Sequence, residues 1–270
     1  MWSFTDDSQT FAKAAEAFLL RDPVGNTIPL TVLTGVLAGM PADGAYFAWW
    51  TVDGVVKGAA FRTPPFPLGL AVMPEEAAVS LAEALADRDI PAVIGPVNVV
   101  DAFTTARGAT IDHTVDERLY RLDGLRPPEV SGEGRPAVAA DFPLLVNWVQ
   151  AFGAEVAVGN GGDDVAGRVE RRLSGGDFCL WTDDGVPVAF AAMSAAAGGV
   201  SRIGPVYTPP TSRRRGYGAA VTAYTSQMAL ATRCDEVVLF TDLANPTSNA
   251  IYQQIGYVPL TDYSHVTYVR

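Results

Sequence analysis

The residues with the clearest chemical pattern run Ile203-Gly-Pro-Val206-Tyr207-Thr208-Pro-Pro-Thr-Ser-Arg213-Arg214-Arg215-Gly216-Tyr217-Gly218-Ala219-Ala220. An extended apolar run ends at two prolines, three arginines follow, and a helical pattern without a single charge over 216–232 opens on glycines. The unpaired N–H groups at a helix N-terminus, with about half a positive charge from the macrodipole, form an anion site. Gly216 and Gly218 remove side chains so that a pyrophosphate can approach the backbone. The arginines add permanent charge. Pro209 and Pro210 stop ladder pairing, so the strand can splay and leave a gap for an extended ligand. A solvated arginine run beside an ordinary helix start is the plain alternative. Strand, prolines and both glycines together point to the anion site.

A second patterned stretch is Thr241-Asp242-Leu-Ala-Asn245-Pro-Thr-Ser248-Asn249-Ala-Ile251-Tyr252-Gln-Gln-Ile255-Gly256-Tyr257. Asn245, Ser248, Asn249 and Tyr252 fall at i, i+3, i+4 and i+7, one polar face of a helix. Ile251 and Ile255 point to an adjacent apolar face. Asn245 is also a candidate N-cap.

R-x-x-G-x-G between a strand and a helix, Arg213 to Gly218, resembles the acyl-CoA pyrophosphate loop of the GNAT acyltransferase superfamily. The stretch from Asn245 to Tyr257 is similar to that family's N-x-x-S-x-x-x-Y-x-x-x-G-[FY] segment. The two motifs span about residues 203–257 and are specific as a pair. The resemblance implies acetyl-CoA as cosubstrate, no metal, and direct attack of an amine on the thioester without a covalent enzyme intermediate. It implies that main-chain groups of Val206 and Thr208 pair with the pantetheine arm. Tyr207, Arg213 to Ala219, Asn245, Ser248, Asn249 and Tyr252 would complete the coenzyme site. It also makes Tyr252 a general acid, since a phenol with pKa near 10 protonates a thiolate whose conjugate acid is near 8.5 only modestly uphill. The residues alone favour a core tyrosine with a satisfied hydroxyl.

For a base, family members often use a carboxylate on the strand before the loop, and Val200-Ser-Arg-Ile-Gly offers none. Asp242 is the nearest candidate, equally read as a residue at the approach to the following helix. Asp163 and Asp164 could line the acceptor mouth instead. The first half departs from the pattern. Where a pyrophosphate loop should stand, Met73-Pro74-Glu75-Glu76 puts two carboxylates in a first helical turn, which stabilise the helix and repel phosphate. Seven residues after Asn98 stands Thr105 rather than a tyrosine. Trp49 and Trp50 could wall a cleft, although a half-buried strand is the ordinary home for such residues. His265 reads as structural, and Gly159-Asn-Gly-Gly-Asp-Asp is not a dinucleotide fingerprint.

The elements that must hold these residues form two similar series. In the first half, a helix capped by Ser8 runs to 21, with Phe11, Ala15, Phe18 and Leu19 on one face. A helix over 27–38 follows, then strands 46–51 and 55–62 joined at Asp53-Gly54. Next come strand 68–72, helix 74–87, strand 91–94 and helix 99–106. In the second half the series is strand 137–139, helix 141–156 capped by Asp141, helix 163–173, strands 178–182, 186–192 and 200–206, helix 216–232, strand 237–241, helix 246–255 and strand 266–269. The order β-α-α-β-β-β-α-β-α-β is also that of the GNAT family. Residues 123–136, with three prolines and three glycines, read as a linker. The expectation is therefore an α/β (α+β) chain of two GNAT-like domains, each a mixed, mostly antiparallel sheet flanked by helices. Residues 1–122 would be degenerate and residues 137–270 would bind acyl-CoA.

Composition narrows the function. Of 270 residues, 49% are hydrophobic and 18% charged, which excludes a disordered chain. The net charge is −11, yet residues 201–270 carry six basic against four acidic side chains, while residues 1–200 carry 13 against 26. Such a surface disfavours nucleic acid and tolerates a cationic substrate. Cys179 and Cys234 have no C-x-x-C spacing, and His113 and His265 are far apart in sequence, which argues for a reduced cytoplasmic protein without a histidine metal site. Residues 23–42 carry no charge but hold three prolines and lack Lys/Arg flanks, so no membrane span or signal segment is expected. The leading function is an acetyl-CoA-dependent N-acetyltransferase for a small-molecule or protein amine, as monomer or homodimer. A non-catalytic acyl-CoA-binding sensor is the alternative. The acidic surface and intact loop argue against a third reading, the tandem-domain aminoacyl-tRNA-dependent peptide-bridge transferases.

Overall fold

The computed structural model describes residues 1–156 and 164–269. The described residues divide into two compact units, one within Met1–Leu119, Thr241–Asn245 and Leu260–Arg270, the other within Tyr120–Phe240 and Pro246–Pro259.

The first unit opens with β1 (Trp2–Thr5), α1 (Ser8–Leu19), α2 (Thr27–Leu37), β2 (Tyr46–Val52), β3 (Val55–Arg62), β4 (Leu68–Leu70), α3 (Glu75–Ala84), β5 (Ala92–Pro96) and α4 (Val97–Arg107). Strands β1 to β4 pair antiparallel in sequence order, and β4 then pairs parallel with β5, Leu68 opposite Val93 and Gly69 opposite Ile94. The β2–β3 turn forms because Asp53 and Gly54 both accept positive φ, 49° and 76°. Helix α1 starts at Asp7, whose carboxylate accepts from the amides of Gln9 and Thr10. The expected cap was Ser8, one residue on, and the carboxylate wins because it takes two orphan amides at once. Phe11, Ala15 and Leu19 are buried on the face that the spacing predicts.

The second unit repeats the plan. It holds β7 (Glu133–Pro136), α5 (Phe142–Val156), α6 (Val165–Ser174), β8 (Phe178–Asp183), β9 (Val186–Met193), β10 (Val200–Tyr207), α7 (Tyr217–Thr232), β11 (Glu236–Asp242) as far as Phe240, and α8 (Pro246–Gln254). β7, β8, β9 and β10 pair antiparallel in order, and β10 pairs parallel with β11. Its core combines Val188, Ala191, Ile203 and Leu239 from the sheet with Tyr217, Val221 and Ala223 from α7. Nine residues of α7, polar ones included, are buried, which explains a helix without a charge. Each unit therefore carries a mixed, mostly antiparallel set of strands flanked by helices, as the sequence predicts, and the strands of the chain belong to one twelve-stranded sheet.

Two long strands, β6 (Ile111–Leu122) and β12 (Tyr257–Tyr268), complete the chain. β12 is three times the length of the strand expected at 266–269. Its residues Tyr263 to Thr267 pair antiparallel with Pro96 to Ala92 of β5, so the C-terminal strand finishes in the first unit and not in the second. The segment 123–136 is partly strand: β7 lies at its end, and the strand expected at 137–139 is displaced by a short 3-10 turn, Ala139–Asp141. Asp141 does not simply cap α5. Its carboxylate accepts from the Val138 amide at 2.8 Å and from both terminal nitrogens of Arg135 at 2.7 and 2.8 Å. No described helix is long and apolar enough to cross a membrane.

Candidate functional site

The site begins with a local irregularity in β10. Between Ile203, opposite Met193, and Val206, opposite Ala191, β10 uses three steps where β9 uses two, a β-bulge at Gly204 and Pro205. Pro205 has no N–H to give the ladder. On its other side β10 pairs with β11 only as far as Ile203 opposite Leu239. Past that point residues 204–207 have no β11 partner, and their edge lies open. The bulge is held from α6, where Arg172 Nη2 donates to the carbonyls of Gly204 and Met193, both at 3.3 Å. Val206 and Thr208 are half-buried on this edge. Tyr207 instead points into the core, its ring 6.2 Å from those of Trp148 and Phe190.

β10 leads into a 3-10 turn, Pro210–Ser212, then through Arg214 at φ 61° and Gly216 at φ 83° into α7. Ala220 donates to Gly216 O at 3.0 Å. The amides of Tyr217, Gly218 and Ala219 precede it, so they are the orphan donors of the helix start. Gly216 is the N-cap, left-handed, and a Cβ there would lie 2.8 Å from Val130 Cγ2. A Cβ on Gly218 would come 3.4 Å from Thr208 Oγ1. Both glycines therefore keep the loop close to its surroundings as well as to any ligand.

The three arginines differ, although the sequence reads them as one island of charge. Arg213 donates to Thr208 O at 2.8 Å and to both carboxylate oxygens of Glu155 at 2.7 Å. Arg215 donates to Asp183 at 3.2 Å. Arg214 makes no hydrogen bond or ion pair with any described residue and is exposed. Glu155 and Asp183 come from α5 and the end of β8, which no local motif signals. Tyr217, the first residue of α7, has a fully buried ring whose hydroxyl donates to Asp183. That bond holds the Asp183 carboxyl below its usual range and pushes the Tyr217 phenol up.

On α8, Asn245 stands just before the first helical residue, with Ser248 and Asn249 half-buried within it. Asn249 accepts from Tyr120 OH at 2.8 Å, and Gln253 donates to the same hydroxyl at 3.2 Å, a partnership with β6 that the spacing did not foretell. Tyr252 packs at the edge of the same apolar cluster as Val206 and Ile251. Its ring stands edge-on to that of Tyr257, centroids 6.2 Å apart. Burial pushes its phenol up to about 12. Asp242 accepts from the Ala244 amide at 2.7 Å through its side chain and from Asn245 through its carbonyl, the turn-forming role at a helix approach. Asp164 caps α6 by accepting from Gly167 at 2.8 Å, while Asp163 lies outside the described residues.

The first unit handles the equivalent place differently. Its α3 starts from Pro74 with Glu75 and Glu76 in the first turn, as expected. Beyond the last β4–β5 pair the two strands stay together, since a Cβ on Gly95 would lie 3.0 Å from Leu70 O. Trp50 is buried in the core and Trp49 half-buried. His113 and His265, distant in sequence, come within electrostatic reach, and burial followed by the His113 charge lowers the His265 pKa.

An open strand edge feeding a glycine-started helix, beside a tyrosine-bearing helix, is the layout of an acyltransferase of the GNAT type. Residues 156–257 match the model of the acetyltransferase (GNAT) family, and this part of the chain is a GNAT domain. No curated protein matches the sequence. Among solved structures, a GNAT-family acetyltransferase from Colwellia psychrerythraea is similar over 100% of both chains, with TM-score 0.64 at 8% identity. A tandem GNAT protein from the clavulanic acid biosynthesis pathway covers 99% of this chain with 98% of its own, at TM-score 0.61 and 13% identity. A GCN5-related N-acetyltransferase from Kribbella flavida is 21% identical over 80% of this chain and 89% of that one, with TM-score 0.57. At these identities the likeness is one of fold, and it extends over both units.

Proposed function

We propose that the second unit transfers an acetyl group from acetyl-CoA to the nitrogen of an amine. The observation that carries this reading is the open edge of residues 204–207 leading directly into the orphan amides of Tyr217, Gly218 and Ala219. An extended amide-bearing arm fits the first and a pyrophosphate the second. Acetyl-CoA supplies an activated thioester carbonyl, which the amine attacks directly while the carbon–sulfur bond breaks.

In this reading the main chain of Val206 and Thr208 pairs with the pantetheine arm and fixes the carbonyl before the attack. The amides at the start of α7 and the unpaired Arg214 hold the pyrophosphate. Tyr252 is the acid group of the site: its phenol O–H donates a hydrogen bond that strengthens as charge develops on the departing thiolate sulfur. The thiolate takes up its proton from solvent, and the proton released by the amine passes to solvent. The net charge of −11 favours cationic acceptors, whether small molecules or protein amines. Thiol release from acetyl-CoA with pooled amines tests the proposal. Acceptor-dependent release supports it. Binding without release across a broad panel would instead favour an acyl-CoA sensor.

A further inference from the structure

The segment that joins the two halves is rich in proline and glycine, yet it is laid down along the second unit by specific contacts. Asp123 donates to Gly256 O and Arg126 to Ile255 O, both at 3.0 Å. Farther on, Trp181 Nε1 donates to Ser131 O at 2.9 Å, and a Cβ on Gly132 would lie 2.2 Å from Thr182 O. Between these anchors Val130 occupies the space that a side chain at Gly216 would need, its Cγ2 2.8 Å from that position. Asp183 takes the Tyr217 hydroxyl and Arg215.

These contacts converge on the two residues that aim the helix-start amides, the N-cap Gly216 and the first helical residue Tyr217. A left-handed glycine has wide conformational freedom, so something must select one orientation of its peptide. We infer that Val130, with Asp183, is a positioning element for the phosphate loop: Val130 seats Gly216 from outside, and Asp183 pins Tyr217. The Tyr217 side chain then serves the loop's shape and makes no ligand contact. The consequence for acetyl-CoA rests on the function proposed above, while the effect on the loop does not.

The test uses the full chain with Val130→Gly, Val130→Ile and Asp183→Asn. Amide exchange is followed by NMR without any coenzyme, and acetyl-CoA affinity by calorimetry. Val130→Gly and Asp183→Asn should speed exchange at the Ala220 amide, whose acceptor is Gly216 O, and leave the middle of α7 unchanged. They should weaken acetyl-CoA binding roughly tenfold, and Val130→Ile should restore both properties. Unchanged exchange at Ala220 in Val130→Gly would overturn the inference, as would equal acceleration along all of α7, which marks general destabilisation. If the wild-type chain binds no acetyl-CoA, the proposed function fails, and exchange at Ala220 still decides the positioning role.

Discussion

Removing the Tyr252 hydroxyl separates chemistry from packing. Burial raises its pKa to about 12, so at pH 8 only about one phenol in ten thousand is ionised. The proton is in place across the working range. It is also harder to give away: against a thiol near 8.5, complete transfer is uphill by roughly 3.5 pKa units, or about 5 kcal/mol. Tyr252 should therefore act mainly as a donor that strengthens its hydrogen bond as charge develops on sulfur. A charge-assisted hydrogen bond is worth about 1.5–3 kcal/mol. Tyr252→Phe should then lower kcat roughly 10- to 100-fold, with the acetyl-CoA dissociation constant nearly unchanged.

The assay is thiol release with the best acceptor from the amine screen, under conditions where chemistry limits the rate, from pH 6 to 10. Wild type should show no alkaline loss of kcat from this group in that range. An unchanged kcat in Tyr252→Phe would make Tyr252 a packing residue and refute the reasoning. Linkage gives a second check. The folded pKa lies above the ordinary 10, so the fold favours the protonated phenol. That stabilisation is complete below pH 10 and is lost as pH rises through about 12. Tyr252→Phe should consequently hold its stability better than wild type above pH 10 and match its trend below.

Three further outcomes are expected. Gly218→Glu should abolish acetyl-CoA binding in calorimetry, since the side chain starts 3.4 Å from Thr208 Oγ1 and carries negative charge into the phosphate position. Titration of the wild-type chain should give one acetyl-CoA per chain, because Glu75 and Glu76 fill the first turn of α3; two equivalent sites would refute this. Gly256→Ala should destabilise the fold by about 2–5 kcal/mol, combining the left-handed penalty at φ 105° with loss of the Asp123 and Arg126 backbone bonds. A Cβ there would lie 1.9 Å from Gly124 O, which is backbone and cannot step aside. Thermal unfolding should show a drop on the order of 5–15 °C.

The sequence was most legible where local chemistry decides the outcome. β3 falls at the expected 55–62, α7 begins one residue after its predicted start because Gly216 is the left-handed cap, and both Asp-Gly turns are hairpins. It was least legible where distant pairing decides. β6, Ile-Asp-His-Thr-Val-Asp-Glu-Arg-Leu-Tyr-Arg-Leu, is too polar to signal a strand, and β1 has four half-buried residues without a clear alternation. Pro259 and Asp262 obscure the length of β12, whose C-terminal part is fixed by β5 some 170 residues earlier in the sequence. At the site, the glycines, prolines and arginines announced themselves. The carboxylates that engage Arg213 and Arg215 did not, because Glu155 and Asp183 reach them from other elements. Only Arg214 is left unengaged among the three.

Under the function proposed above, the two units differ in ways that would leave a coenzyme site in the second and none in the first. Both place a parallel strand pair beside a helix, β4–β5 with α3 and β10–β11 with α7. In the second unit the pair stops at Ile203 and Leu239, the Gly204–Pro205 bulge turns β10 aside, and the helix opens on a left-handed glycine. In the first, Gly95 lets β5 lie directly against Leu70, so no edge opens for an extended ligand. The helix there opens on proline followed by two carboxylates. Those carboxylates satisfy the positive end of the helix from within the chain, which strengthens α3 and removes the electrostatic reason for an anion to bind. A single reversal, such as Glu75→Gly, would restore neither the open edge nor the cap. The obstacle to a coenzyme in the first unit is therefore structural as well as electrostatic in this reading, and building a site there would require remaking the strand pair first.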